Sequence, residues 1–122
     1  LMSNPDFANG VNDIDIAINC QNLSVSSISD VVQVTSANTI RKVANLTITN
    51  YSATTTAGYK IDKWGVFSTE GTIFEGTLEP SQSVCLVDET RPIYIEVGNR
   101  IRGEALTANN CISVYCVAEV YS

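Results

Sequence analysis

The chain has 122 residues with seven Lys and Arg against thirteen Asp and Glu, a formal net charge of -6 and no histidine. That length fits a single hydrophobic core, and no apolar run approaches the roughly 18 residues of a helical membrane span. The acidic balance opposes attraction to phosphate backbones, so neither a membrane nor a nucleic acid is an expected partner.

Residues 1–12 hold Pro5, Gly10 and several Asn around one bulky apolar anchor, Phe7. They are predicted to form an extended N-terminal arm that reaches a neighbour, ahead of one sandwich domain over residues 13–122. From Asp13 the chain alternates, with Ile14, Ile16 and Ile18 on one face and Asp13, Asp15 and Ala17 on the other, which predicts the first strand. After a polar stretch, Val32 and Val34 mark the next strand. A longer one then alternates Ala44, Leu46 and Ile48 with Val43, Asn45 and Thr47 before a loop from Asn50 to Gly58. Tyr59 to Ser68, with the single tryptophan Trp64, and Thr72 to Thr77 are predicted to form a hairpin turning at Glu70-Gly71. Val84 and Leu86 belong to a further strand, and Arg91-Pro92 gives an extended entry to the last segment.

The last segment has the clearest pattern. Ile93, Ile95 and Val97 alternate up to Gly98-Asn99, and Ile112, Val114, Cys116, Ala118 and Val120 alternate after Ala108-Asn109-Asn110, which predicts a closing antiparallel meander. Eight to nine short strands with polar turns, and no helical stripe, predict an all-β fold: an antiparallel two-sheet sandwich, Ig-like or jelly-roll-like.

Cys20, Cys85, Cys111 and Cys116 contain no C-x-x-C pair, and with no His the common zinc and thiol-redox spacings are missing. Cys111 and Cys116 are an odd number of positions apart, so on one continuous strand they face opposite ways. Cys116 is predicted to be a small core residue. Buried free thiols, and disulfides in which Cys20 or Cys85 reaches Cys111 or Cys116, both remain open. Asn12, Asp13 and Asp15 lack the calcium-loop pattern and form a solvated face, so no metal or cofactor is expected. Three Asn-x-Ser/Thr triplets, at Asn22, Asn45 and Asn50, are coincidences of composition. Without His the usual nucleophile and base pairs cannot be built, so no enzyme is expected.

The candidate sites are therefore interaction surfaces. Lys60, Asp62 and Trp64 share a strand face, and Trp64 either packs in the core or offers an aromatic surface, with Tyr59 and Tyr94, to a sugar or protein. Arg100 and Arg102 share a face opposite Ile101 and, with Glu104, form a charged ladder or meet an acidic patch on a neighbour. The expected interface residues are Phe7, Trp64, Arg100 and Arg102.

Four stretches also carry a resemblance. Leu46-Thr47-Ile48-Thr49-Asn50, Leu78-Glu79-Pro80-Ser81-Gln82-Ser83, Val97-Gly98-Asn99-Arg100-Ile101-Arg102 and Thr107-Ala108-Asn109-Asn110 resemble, in order and spacing, small β-sandwich virion proteins of tailed bacteriophages. The resemblance covers about two thirds of the chain and omits the first 38 residues and the four cysteines. It implies a structural virion protein, foremost a capsid decoration or cement protein, otherwise a tail, neck or fibre component. Major capsid or tail proteins of the same virion would be its partners, with a homo-oligomeric trimer or ring as its form. Leu1-Met2-Ser3 opens no secretory leader, which accords with assembly in the host cytoplasm and residence in the virion. A carbohydrate-binding or adhesin-like module is the alternative.

Overall fold

β-branched residues at alternate positions prefer a pleated, half-buried surface, and in the computed structural model they form nine strands and no helix among the described residues, which are 14–25, 27–34, 39–65, 68–107 and 109–121. The strands are β1 (Ile14–Asn22), β2 (Ser29–Gln33), β3 (Ile40–Asn50), β4 (Ala57–Gly65), β5 (Ser68–Leu78), β6 (Ser83–Val87), β7 (Ile93–Ile95), β8 (Asn99–Ala105) and β9 (Ile112–Tyr121). Residues 1–13, including Phe7 and the predicted arm, lie outside the described residues.

Sheet A has the order β1-β9-β3-β6, with β7 also paired to β3, and sheet B has the order β2-β8-β4-β5. Every pairing is antiparallel. Setting β7 aside, the first strand pairs with the last, β2 with β8, β3 with β6 and β4 with β5, as in a long ribbon rolled so that its halves form two facing sheets. That is jelly-roll connectivity, the second of the two expected sandwich types.

Rolling corrects the expected closing meander. β7 and β9 lie in sheet A and β8 in sheet B, so the chain crosses between sheets at both turns. Gly98 makes the first crossing with φ 87°, a left-handed conformation that glycine adopts without penalty. Its amide donates to the Val34 carbonyl at 2.9 Å, which ties the crossing to the end of β2.

The core lies between the sheets. Leu46, Ile48, Ile112, Val114 and Cys116 from sheet A meet Ile61, Ile101, Ala105 and Leu23, all essentially solvent-free. Full burial of each aliphatic side chain contributes about 1.5–3 kcal/mol, so this facing set holds the sheets together. Val43 is buried as well as Ala44 because the β3·β9 register shifts between Val43 and Asn45. A second shift, between Asp30 and Val32, buries both Val31 and Val32. Neither bulge is visible as simple alternation. The hairpin β4–β5 forms as expected, but Gly71 pairs with Lys63 inside it, so Glu70-Gly71 is not its turn.

Asn50 is fully buried at the end of β3. Its Nδ2 donates to the carbonyls of Thr55 at 2.7 Å and Leu78 at 3.0 Å, and its Oδ1 accepts from the Ser52 amide at 3.0 Å. One side chain thereby pins the loop after β3 to the end of β5 in the other sheet. A modification acceptor must be exposed, so burial removes Asn50 from the three acceptor triplets.

Candidate interaction surfaces

The outer face of sheet B gathers three of the expected interface residues. In the β4·β8 register Trp64 stands opposite Arg100 and Asp62 opposite Arg102, and in the β2·β8 register Asp30 stands opposite Arg102. Trp64 is half-buried on this face and outside the core cluster, which decides between its two expected placements. The Arg100 guanidinium lies 4.7 Å from the centroid of its ring and that of Arg102 5.7 Å. Ring quadrupole and guanidinium attract at these distances. Arg100 is also held from behind, because its Nη1 lies 3.2 Å from Asp30 Oδ2. Ile101 between the two arginines is buried, so the expected opposition of faces holds.

Asp62 is the residue of this cluster that sequence reasoning left in the background. It is 6% exposed and its Oδ1 has no hydrogen-bond partner. It occupies the strand position across from Arg102. Charges of both signs thus neighbour one aromatic ring, with Lys60 and Glu104 opposite each other on the next row. Tyr59 points the other way, into the core, where burial raises its phenol pKa. It is thereby removed from the aromatic surface expected of it, whereas Tyr94 is 55% exposed on the opposite side of the sandwich.

The outer face of sheet A is built differently. Opposed residues of an antiparallel pair share a face, so register places side chains in rows across β1, β9, β3 and the edge strands. One row is Cys20, Tyr115, Thr47 and Cys85, the next Ile18, Val117 and Asn45, and a third Ile16, Glu119, Lys42 and Tyr94. Ile16 and Ile18 are 67% and 63% exposed. The isoleucine face of β1 therefore looks outward, and Ala17, Asn19 and Gln21 look inward. The polar pair among these is satisfied because Asn19 Nδ2 donates to the Val31 carbonyl at 2.7 Å and Gln21 Nε2 to the Asp30 carbonyl at 3.2 Å.

Lys42 and Glu119 are the only charged side chains in these rows, and they pair with each other at 3.7 Å. Glu119 also accepts from the Tyr121 hydroxyl, which pushes that phenol up to about 12. The face is thus neutral on a chain of net charge -6. It ends at β1, an edge strand whose nine residues contain no Lys or Pro and one charge, Asp15.

All four cysteines are free thiols, Cys20 and Cys85 exposed and Cys111 and Cys116 buried. Cys20 and Cys85 lie in one row three strand spacings apart, roughly 14 Å, well beyond disulfide reach. Cys116 faces the core opposite Leu46, as expected, and burial pushes its thiol up to about 11.

Comparison with protein-family models, with curated proteins and with solved structures finds no match.

Proposed function

We propose that the chain is a structural virion protein of a tailed bacteriophage, foremost a capsid decoration or cement protein, that works by packing against neighbouring subunits without catalysis. The observation that carries this is the neutral, partly apolar outer face of sheet A, bounded by the open edge of β1. On a chain of net charge -6, a second copy approaches this neutral and partly apolar face at little electrostatic cost. Four strands at about 4.8 Å spacing and a length of about 33 Å give it roughly 600 Å² in projection. That is comparable with the about 800 Å² per partner of a stable interface.

Segment 1–13 leads directly into β1, so an arm reaching from it would start at this face and add contacts to the same neighbour. Jelly rolls serve both virion shells and lectins, so connectivity alone leaves the sugar-binding alternative standing. The aromatic surface argues for the shell. A sugar stacking on Trp64 would have to displace the Arg100 guanidinium, which Asp30 holds in place. The deciding experiment is immunogold labelling of tailed-phage particles purified from the host that makes the chain. Regular label on head or tail supports the proposal, and chain found only in the particle-free fraction overturns it.

A further inference from the structure

The two sheets do not close against each other along the β1 and β2 edges. Between them lies a cleft of about 380 Å³ whose lining is mainly polar, from Asn19, Asp30, Gln33 and Arg41, with Ala17 and Ala118 among its small apolar residues. The room has a local cause. The inward positions of β1 and β9 carry Ala17, Ala118 and Cys116 where the centre of the sandwich carries Leu and Ile.

Arg41 occupies an inward position of sheet A, in a row with Val120 and Ile95. Its Nε is buried without a hydrogen-bond partner, and its guanidinium makes no hydrogen bond or ion pair with a described residue. A guanidinium is a planar fork of five donors that cannot shed its charge. Only Nε is buried, so the terminal nitrogens open to the water of the cleft, where an anion can take that water's place. The described acids nearby do not supply one. Asp30 lines the same cleft but is paired with Arg100. Asp15 shares the row of Arg41 two strands away, roughly 10 Å along the backbone spacing, and forms no ion pair with it. Lys42, the neighbouring cation, faces the opposite side of the sheet and pairs with Glu119.

We propose that this cleft is a carboxylate-binding site in which Arg41 receives the anion and Ala17, Val31, Val32 and Ala118 receive a short apolar body. One cation without a partner among the described residues favours a singly charged group over a phosphate dianion, and the small side chains between the polar groups leave room for a chain of only a few carbons. The carboxylate belongs either to a free small acid or to an acidic side chain of a polypeptide laid across the two edges.

The test is a titration of the full chain followed at the Arg41 Nε–Hε resonance by ¹⁵N NMR. The probes are butyrate, the neutral analogue butyramide, and a capped Val-Glu-Val peptide. A saturable shift with butyrate and none with butyramide is expected. Arg41→Gln should weaken butyrate binding at least tenfold, measured on the surrounding methyl resonances. Because that variant alters a half-buried position, Ala17→Leu is the companion: it fills the cleft and leaves Arg41 in place, and it should also abolish saturation. Saturation by butyrate alone assigns a free acid, and tighter saturation by the peptide assigns a polypeptide carboxylate. A linear shift for every probe, unchanged in Arg41→Gln or Ala17→Leu, overturns the proposal.

Discussion

Asn50 offers the sharpest test of how the jelly roll is held together. Replacing it with Ala deletes three hydrogen bonds at once, to the carbonyls of Thr55 and Leu78 and from the amide of Ser52. Each net bond is worth about 1 kcal/mol, and a buried partner left unsatisfied costs about 1–3 kcal/mol. The Thr55 carbonyl and the Ser52 amide lie at partly buried contacts and regain water, whereas the contact to Leu78 is buried. A loss of about 3 kcal/mol follows, a large fraction of the about 5–15 kcal/mol that stabilises a domain. For a chain of this size it amounts to a fall of roughly 12 °C in Tm.

Urea and thermal melts monitored through Trp64 fluorescence would measure it. Asn50→Asp adds a second readout, because its carboxylate would face two carbonyl oxygens in place of the amide donors. Its folded-state pKa would rise above the ordinary value near 3.9, so the native state would hold the proton more tightly than the unfolded chain. The stability of this variant should then fall as pH rises from about 4 to 7, relative to Asn50→Ala. A loss below about 1 kcal/mol for Asn50→Ala, or a flat pH dependence for Asn50→Asp, would refute the role assigned to this side chain.

Iodoacetamide at pH 8 should modify Cys20 and Cys85 and spare Cys111 and Cys116 until denaturant is added; peptide mass mapping checks this, and equal labelling of all four contradicts the burial pattern. With the Cys116 thiol raised from 9.0 to about 11, its contribution to stability is present below pH 9 and lost as pH rises toward 11. Alkaline melts of Cys116→Val should accordingly fall less steeply than those of the wild type. Arg100→Ala should shift Trp64 emission to the red and cost no more than about 2 kcal/mol, since it removes one cation–π contact and one exposed ion pair, each worth about 1 kcal/mol or less; an unshifted spectrum would contradict the stacked geometry. A Cβ at Gly76 would stand 2.8 Å from the Tyr59 hydroxyl, so Gly76→Ala should destabilise by about 1–3 kcal/mol. Tyr59→Phe should recover part of that loss, and a neutral Gly76→Ala would show that the ring moves freely.

Period-two alternation makes most of the strands legible, and Ile112, Val114 and Ala118 share the core face with Cys116, the one residue of the set expected there. The facing of β1 is not legible in its alternation. Isoleucines at alternate positions look like a core stripe, and here they point outward because Asn19 and Gln21 find carbonyl partners on β2. That compensation depends on the packing of one sheet edge over the other, which no local pattern encodes. The same holds for the bulges at Val43/Asn45 and Asp30/Val32 and for the sheet crossing at Gly98, because a turn signature fixes a turn but not which sheet receives the next strand. At the candidate surface, the shared face of Arg100 and Arg102 was visible from their spacing. Their meeting with Trp64 was not, since it needs the β4·β8 register. Arg41 gave no signal, since a cation in an alternating strand reads as a solvated position until the strand is given a facing.

The most direct test of the account is sedimentation velocity of the intact chain from about 1 µM to about 300 µM, a range that spans weak and moderate association, alongside an Ile16→Lys/Ile18→Lys double variant. Both isoleucines are exposed, so the variant should keep its circular dichroism and its Tm. The account predicts that the wild type associates with rising concentration while the variant stays monomeric. A wild type that remains monomeric throughout, or a variant that associates equally well, would contradict the assignment of the outer face of sheet A as the surface that joins subunits.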